Sequence, residues 1–256
     1  MHKQMNNKVV VFDLDGTLLG GNNEIIGGQA TLQILHDLKE QGYQLAICTG
    51  RLDHDIMYIN KKYDLGITER ISQNGAVVVK GDTCNALLID TKEALQVLTL
   101  FKNKNIRIEL NTISNRYWLE ERSPDFPKEL YDSHHIVKDF QTILENQPCV
   151  LYLVIGEEQE LDILQEQIDT QFQNIKAVKT SSTSLEIMNI RASKGKAMIS
   201  MYPTEEIYAI GDSQNDFDMF PYAYKSYLVG GKHNDDATYH MDTILEALQD
   251  IVKRRD

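Results

Sequence analysis

The stretch VVVFDLDGTLLGG, Val9 to Gly21, decides how the rest of the chain is read. Its short β-branched and aromatic run has the composition of a strand buried on both faces. It ends on two aspartates one residue apart, Asp13 and Asp15. Like charges at that spacing repel, and burial strengthens the repulsion, so a positive group or a shared proton must accompany the pair. In an open α/β sheet, ligands bind beyond the carboxyl ends of the strands. Carboxylates in that position point to chemistry rather than to packing.

Outward from this stretch the chain alternates. QATLQILHDLKEQGY carries Ala30, Ile34, Leu35 and Leu38 at helical spacing, with Gly42 placed as a C-terminal cap. YQLAIC is the next strand, closed by TGR, and LDHDIMYINKKYDL is helical again. RISQNGAVVVKGD adds a strand with Asn74-Gly75 as a turn signal. Strand–helix alternation of this kind predicts a parallel sheet with crossover helices. Beyond Gly81-Asp82 the texture changes. NALLID, IRIELNT, RYWLEE, CVLYLVIG and SLEIMNI read as strands, with helices only at TKEALQVLTLFKNKN and EQELDILQEQIDTQF. From Ser193 the first texture returns: helix SKGKAMISMY with Ser193 as N-cap, strand EIYAIG, a helix opening at DSQNDFDMF, a last strand SYLVGG, and the amphipathic helix TILEALQDIVKRR. The predicted organisation is an α/β domain with a parallel sheet over 1–82 and 191–256, with a second, α+β domain inserted over 83–190. RSPDFPKELYDSHH is predicted to be a loop of the insert.

Three strands of the core end on polar residues: Asp13, Thr49 and Asp212. Together they form an inventory for phosphoryl chemistry. Asp13 can act as a nucleophile. Asp15 can give a proton to a leaving oxygen and then activate water. Thr49 and the N–H of Gly50 can hold phosphate oxygens, and Lys194 can balance their charge. Asp212 and Asp216 can hold a hard cation, for which Mg²⁺ suits a small carboxylate–water–phosphate site.

DLDGTLL (13–19), TGR (49–51), SKGKA (193–197) and GDSQND (211–216) resemble the four ordered motifs of the haloacid dehalogenase superfamily. The long insert between the second and third motifs, and SQNGAVV before it, resemble its Cof-type sugar-phosphatase branch. The resemblance spans roughly 8–82 and 185–230. It implies a Rossmann-like core over 1–82 and 191–256, an α/β cap over 83–190, and Mg²⁺-dependent hydrolysis of a phosphate monoester, with Asp13 as nucleophile and metal ligand. Asp15 would be the general acid/base and would offer its backbone carbonyl to the metal. Thr49, Gly50, Lys194 and Asn215 would contact phosphate. Asp212 would ligate the metal, and Asp216 would orient the metal site or Lys194. The segment VGGKHNDDATYHMDTI departs from the family pattern, which places Gly230, Gly231 and Lys232 where relatives have a different lining.

Bulk composition is ordinary for a globular protein, and its acidic balance leaves an anionic substrate open because a local metal or lysine can reverse the field in one cleft. The 256 residues are 42% hydrophobic and 25% charged, enough for a sizeable core. A net charge of −12 argues against nucleic-acid and anionic-membrane partners. Three scattered cysteines form no CxxC, no apolar run has membrane-spanning length, and the N-terminus lacks a hydrophobic signal region, so a cytoplasmic chain is expected. A sugar phosphomutase could use the same aspartates, given a cap that excludes water and a bisphosphate activator. A phospho-aspartate receiver would have no use for Asp15 or for the insert, and a non-catalytic binding module is the plainest alternative. Trp118 with Tyr117 and Arg116 is a candidate for stacking on substrate, against a half-buried strand aromatic. The pair His134-His135 is a candidate metal ligand, against solvated loop histidines. Monomer and homodimer are equally compatible with the sequence.

Overall fold

A computed structural model describes residues 7–121 and 134–253. Strand β1 (Lys8–Phe12) is followed by α1 (Gly28–Glu40), β2 (Gln44–Cys48), α2 (Asp53–Lys62), β3 (Glu69–Ser72), β4 (Val77–Lys80) and β5 (Thr83–Ala86). Next come α3 (Thr91–Leu100), β6 (Arg107–Asn111), β7 (Arg116–Trp118), β8 (His134–Ile136), α4 (Phe140–Asn146), β9 (Leu151–Ile155), α5 (Glu158–Gln171), β10 (Ile175–Ser181) and β11 (Ser184–Asn189). The chain closes with α6 (Lys194–Met201), β12 (Glu206–Gly211), β13 (Lys225–Leu228), β14 (Tyr239–His240) and α7 (Ile244–Lys253). Two compact units result. The first comprises Met1–Arg51, Ile56–Cys84 and Ser193–Asp256, the second Leu52–Asp55 and Asn85–Ala192. Among the described residues no helix is long and apolar enough to cross a membrane.

The first unit is built on an eight-stranded sheet in the order β14-β13-β12-β1-β2-β3-β4-β5. β1 lies at its centre, parallel to both β12 and β2, with Phe12 level with Ile210 and Ile47. Val9, Val10, Val11 and Phe12 are fully buried, as a strand covered on both faces requires. On one face Val9, Val11, Ala46 and Cys48 pack with Met198 and Met201 of α6 and with Tyr202, the residue after it. The common register sets the ends of β1, β2 and β12 at one edge of the sheet.

Several elements differ from the sequence reading. RISQNGAVVVKGD holds two strands, β3 and β4, paired antiparallel about a short 3-10 turn at Gln73–Gly75. The helix predicted to open at DSQNDFDMF takes the 3-10 form over Gln214–Tyr222, with Pro221 near its end. SYLVGG is not the last strand, because β14 adds a two-residue parallel pairing to β13.

In that 3-10 turn Asn74 and Gly75 both have left-handed backbones, φ 54° and 86°. A Cβ on Gly75 would lie 2.2 Å from the Ser193 carbonyl oxygen, which is backbone and cannot yield cheaply. Gly81 also has positive φ but open space around it. Gly75→Ala is therefore expected to cost about 2–4 kcal/mol, the sum of left-handed strain and overlap, and Gly81→Ala only about 1–2 kcal/mol. Shifts in denaturant midpoint for the two variants check this. Equal shifts would mean that the approach to Ser193 imposes no constraint.

The second unit has a six-stranded sheet in the order β10-β11-β9-β6-β7-β8, antiparallel except for β7–β8. Alternation decides its core: Leu110, Tyr117, Tyr152, Val154, Leu185 and Ile187 pack with Leu161, Leu164 and Ile168 of α5. Asp90 caps α3 by accepting from the N–H groups of Lys92 and Glu93, and Asp139 caps α4 through Thr142. The loop predicted over RSPDFPKELYDSHH lies outside the described residues for 122–133, and His134-His135 open β8 instead of belonging to that loop. Trp118 is buried, with the Arg107 guanidinium 5.3 Å from its ring centroid, so it is a packed strand aromatic within this unit. Arg116 makes a buried ion pair with Asp55 at 2.7 Å.

Candidate active site

Because β1 ends level with β12, the Asp13 N–H donates to the Ile210 carbonyl at 3.1 Å, and the Asp13 side chain leaves the sheet at its carboxyl edge. Asp13 is buried, as are Thr49 at the end of β2, Asp212 after β12, and Asp216. Carboxylate oxygens of Asp13, Asp212 and Asp216 lie within 4.8 Å of one another. Lys194, the first residue of α6, is buried among them. Its Nζ donates to Asp13 Oδ1 at 3.0 Å and to Asp216 Oδ1 at 2.7 Å. Ser193 starts this helix by accepting from the Lys196 N–H, and Asp218 holds Ser193 Oγ at 2.6 Å and the Gly195 N–H at 3.1 Å. The cation that the Asp13–Asp15 pair requires is thus supplied to Asp13 from 181 residues away.

Burial pushes the Asp13 carboxyl up from 3.8 to about 7, against the pull of the Lys194 ammonium. For Lys194 burial works downward, but Asp13 and Asp216 outweigh it and hold the ammonium well above its ordinary value. Burial, with Asp216 nearby, also raises Asp212, while hydrogen bonds from Lys232 and Thr17 oppose the shift. Three carboxylates meet two ammoniums, the buried Lys194 and the half-exposed Lys232, which leaves the cluster short of positive charge.

Asp216 is saturated by the fold. Its Oδ2 accepts from the Asp212 and Ser213 N–H groups, both at 3.0 Å, and from Ser213 Oγ at 3.1 Å, while Oδ1 serves Lys194. Asp212 is held less completely: Thr17 Oγ1 donates to Oδ1 at 3.1 Å and Lys232 Nζ to Oδ2 at 3.2 Å. A Cβ on Gly16 would sit 2.5 Å from Asp212 Oδ2, so the bare glycine leaves that oxygen its room. The donor set is all oxygen, which suits a small hard cation.

Asp15 is placed differently from Asp13. It is exposed and receives a bidentate pair from Arg51, Nε to Oδ2 and Nη2 to Oδ1, both at 2.6 Å. Arg51 also reaches Asn23 Oδ1 at 3.1 Å. Each aspartate has its own cation, and the Asp15 side chain lies outside the group formed by Asp13, Asp212 and Asp216. Arg51 belongs to the TGR motif, yet nothing in the local sequence says which carboxylate it will meet.

Thr49 Oγ1 accepts from the Arg51 N–H at 3.3 Å, and a Cβ on Gly50 would lie 3.3 Å from Asn74 Oδ1. The same Asn74 oxygen accepts from Asn215 Nδ2 at 3.1 Å. Gly50 and Asn215 therefore meet through Asn74, a residue that sequence reading marks only as a turn signal. Its backbone there is left-handed, with φ 54°.

A family model described as haloacid dehalogenase-like hydrolase matches residues 10–244. Phosphatase YwpJ of Bacillus subtilis (strain 168) is 25% identical over 272 residues, covering 89% of this chain and 91% of that protein. The 5-amino-6-(5-phospho-D-ribitylamino)uracil phosphatase YwtE of the same organism is 25% identical over 250 residues, covering 84% and 85%. A crystal structure of a haloacid dehalogenase-like hydrolase from Bacteroides thetaiotaomicron shares the fold, with a TM-score of 0.82 at 20% identity over 96% of this chain and 99% of the other. With a family match over nearly the whole chain and the motif residues gathered at the carboxyl edge of the parallel strands β1, β2 and β12, the chain belongs to the haloacid dehalogenase-like hydrolase family.

Proposed function

We propose that this chain is a Mg²⁺-dependent phosphatase of small phosphorylated metabolites, sugar phosphates among them, working through an aspartyl-phosphate on Asp13. The observation that carries the reading is the buried Asp13–Lys194–Asp216 cluster with Asp212 beside it. Its oxygen donors and deficit of positive charge fit a divalent cation, and the names of the two curated relatives include phosphatase. The three free thiols suit a reducing, cytoplasmic compartment.

An Asp13 carboxylate oxygen attacks phosphorus as the bond to the substrate oxygen breaks. Asp15 gives that oxygen its proton, so a neutral alcohol leaves. The Asp15 carboxylate then takes a proton from water, whose oxygen attacks the same phosphorus. The bond to Asp13 breaks, and inorganic phosphate departs. Thr49, Gly50 and Asn215 hold the phosphoryl oxygens, and Lys194 neutralises part of their charge. Asp13, the Asp15 carbonyl and Asp212 would hold Mg²⁺. Asp216 fixes Lys194 and the Asp212 backbone from behind and so orients the metal site. Bound there, the cation would supply the positive charge that keeps Asp13 ionised and lets an anionic phosphate approach it.

Chelation of divalent cations is expected to abolish phosphate release and Mg²⁺ to restore it. Ca²⁺ is expected to inhibit, since its larger and looser shell spoils in-line geometry. Phosphate release from a panel of phosphorylated metabolites, before and after verified metal removal, checks both. Full activity in chelator would refute the reading.

A further inference from the structure

We propose that Lys232 and a divalent cation compete for one oxygen of Asp212, so that Lys232 sets how tightly the metal site binds. This rests on the reading of Asp212 as a metal ligand.

The competition follows from how Asp212 is surrounded. Its Oδ1 is engaged by Thr17, and its backbone N–H by Asp216, so Oδ2 is the oxygen left to face a cation. Lys232 Nζ lies 3.2 Å from that atom. The loop that brings it there is anchored at its root, where the Val229 N–H donates to Gly211 and the Gly230 N–H to Asp242. Gly230 and Gly231 then take φ values of 82° and 71°, two left-handed residues in succession. That double reversal returns the chain so that Lys232 meets the carboxylate twenty residues before it. The placement is therefore built by the backbone and is not a chance reach of a long side chain.

An ammonium and a doubly charged ion on one carboxylate oxygen repel each other, so one must leave. Lys232 is the group able to go. Its side chain is 53% exposed, and water can take over its donors. Lys194 differs: it is buried and pinned by two carboxylates, so it stays. Lys232 thus lowers metal affinity without taking part in the retained architecture. The loop carrying it, VGGKHNDD, is also the stretch where this chain departs from the family pattern.

The test is calorimetric titration of the full-length protein with MgCl₂ alone, at about 0.15 M salt, where remote charges are screened beyond ~8 Å. Lys232→Met is expected to tighten Mg²⁺ binding by about three- to tenfold, the scale of an exposed ion pair plus the relieved repulsion. Lys232→Arg keeps the charge and should bind as the wild type does. Lys61→Gln removes an exposed lysine of α2 and should change affinity by less than about twofold. Unchanged or weaker binding in Lys232→Met, or equal tightening in Lys61→Gln, overturns the proposal. Asp212→Asn separates the two levels. If it abolishes binding while Lys232→Met changes nothing, only the competition falls. If it binds Mg²⁺ as well as wild type does, Asp212 is no ligand and both readings fall.

Discussion

Asp13→Asn is expected to reduce turnover on the order of 10⁵-fold or more, equivalent to about 7 kcal/mol of barrier, while leaving the fold intact. The amide has nearly the same shape but lacks the charge that attacks phosphorus. Its effect on stability should be small and of either sign, for a reason visible in the cluster. Asp13 shares one buried ammonium with Asp216, and burial already disfavours its ionised form. Removing one of several crowded carboxylates relieves repulsion while Lys194 keeps Asp216 as a partner. Thermal midpoint and phosphate release measured on the same preparation separate the two effects. A variant that keeps more than about one part in a hundred of wild-type turnover would remove Asp13 from the nucleophile's role.

Asp15→Asn is expected to slow alkyl phosphates far more than an activated aryl phosphate. An aryl leaving group departs with little help from a proton, whereas an alkoxide needs one. General acid–base assistance is worth typically about 10²–10⁴-fold, or roughly 3–5 kcal/mol. The structure adds a condition. Both oxygens of Asp15 are committed to Arg51, so the ion pair must open before Asp15 can carry a proton to the leaving oxygen. For the aryl substrate, the second step would then become limiting and phosphorylated Asp13 should accumulate. Single-turnover rates of phosphoryl transfer on both substrates, mutant against wild type, measure the ratio. Equal slowing of both would reduce Asp15 to a structural partner of Arg51.

Some elements escaped the sequence for physical reasons. α4 is seven residues long, too short for a helical period to show. β8 has three residues, and its pairing to β7 rather than its composition makes it a strand. β10 carries two lysines and two hydroxyl residues on a strand whose buried face shows only Ile175 and Ala177. In each case cross-strand or core contacts, which single-sequence periodicity does not contain, decide the structure.

By itself the sequence determined the α/β class and the gathering of Asp13, Thr49 and Asp212 at one edge. Parallel strands in a common register end together, so polar residues placed after apolar runs converge whatever the distance between them in the chain. The tertiary structure alone decided which charge each aspartate meets. Asp13 turns inward to Lys194, 181 residues on, and Asp15 turns outward to Arg51, 36 residues on. Asn74, on a left-handed turn, accepts from Asn215 beside Gly50, and Lys232, after two left-handed glycines, meets Asp212. Partners of this kind depend on where packed elements bring side chains within a few ångströms, and local propensity carries no record of that distance.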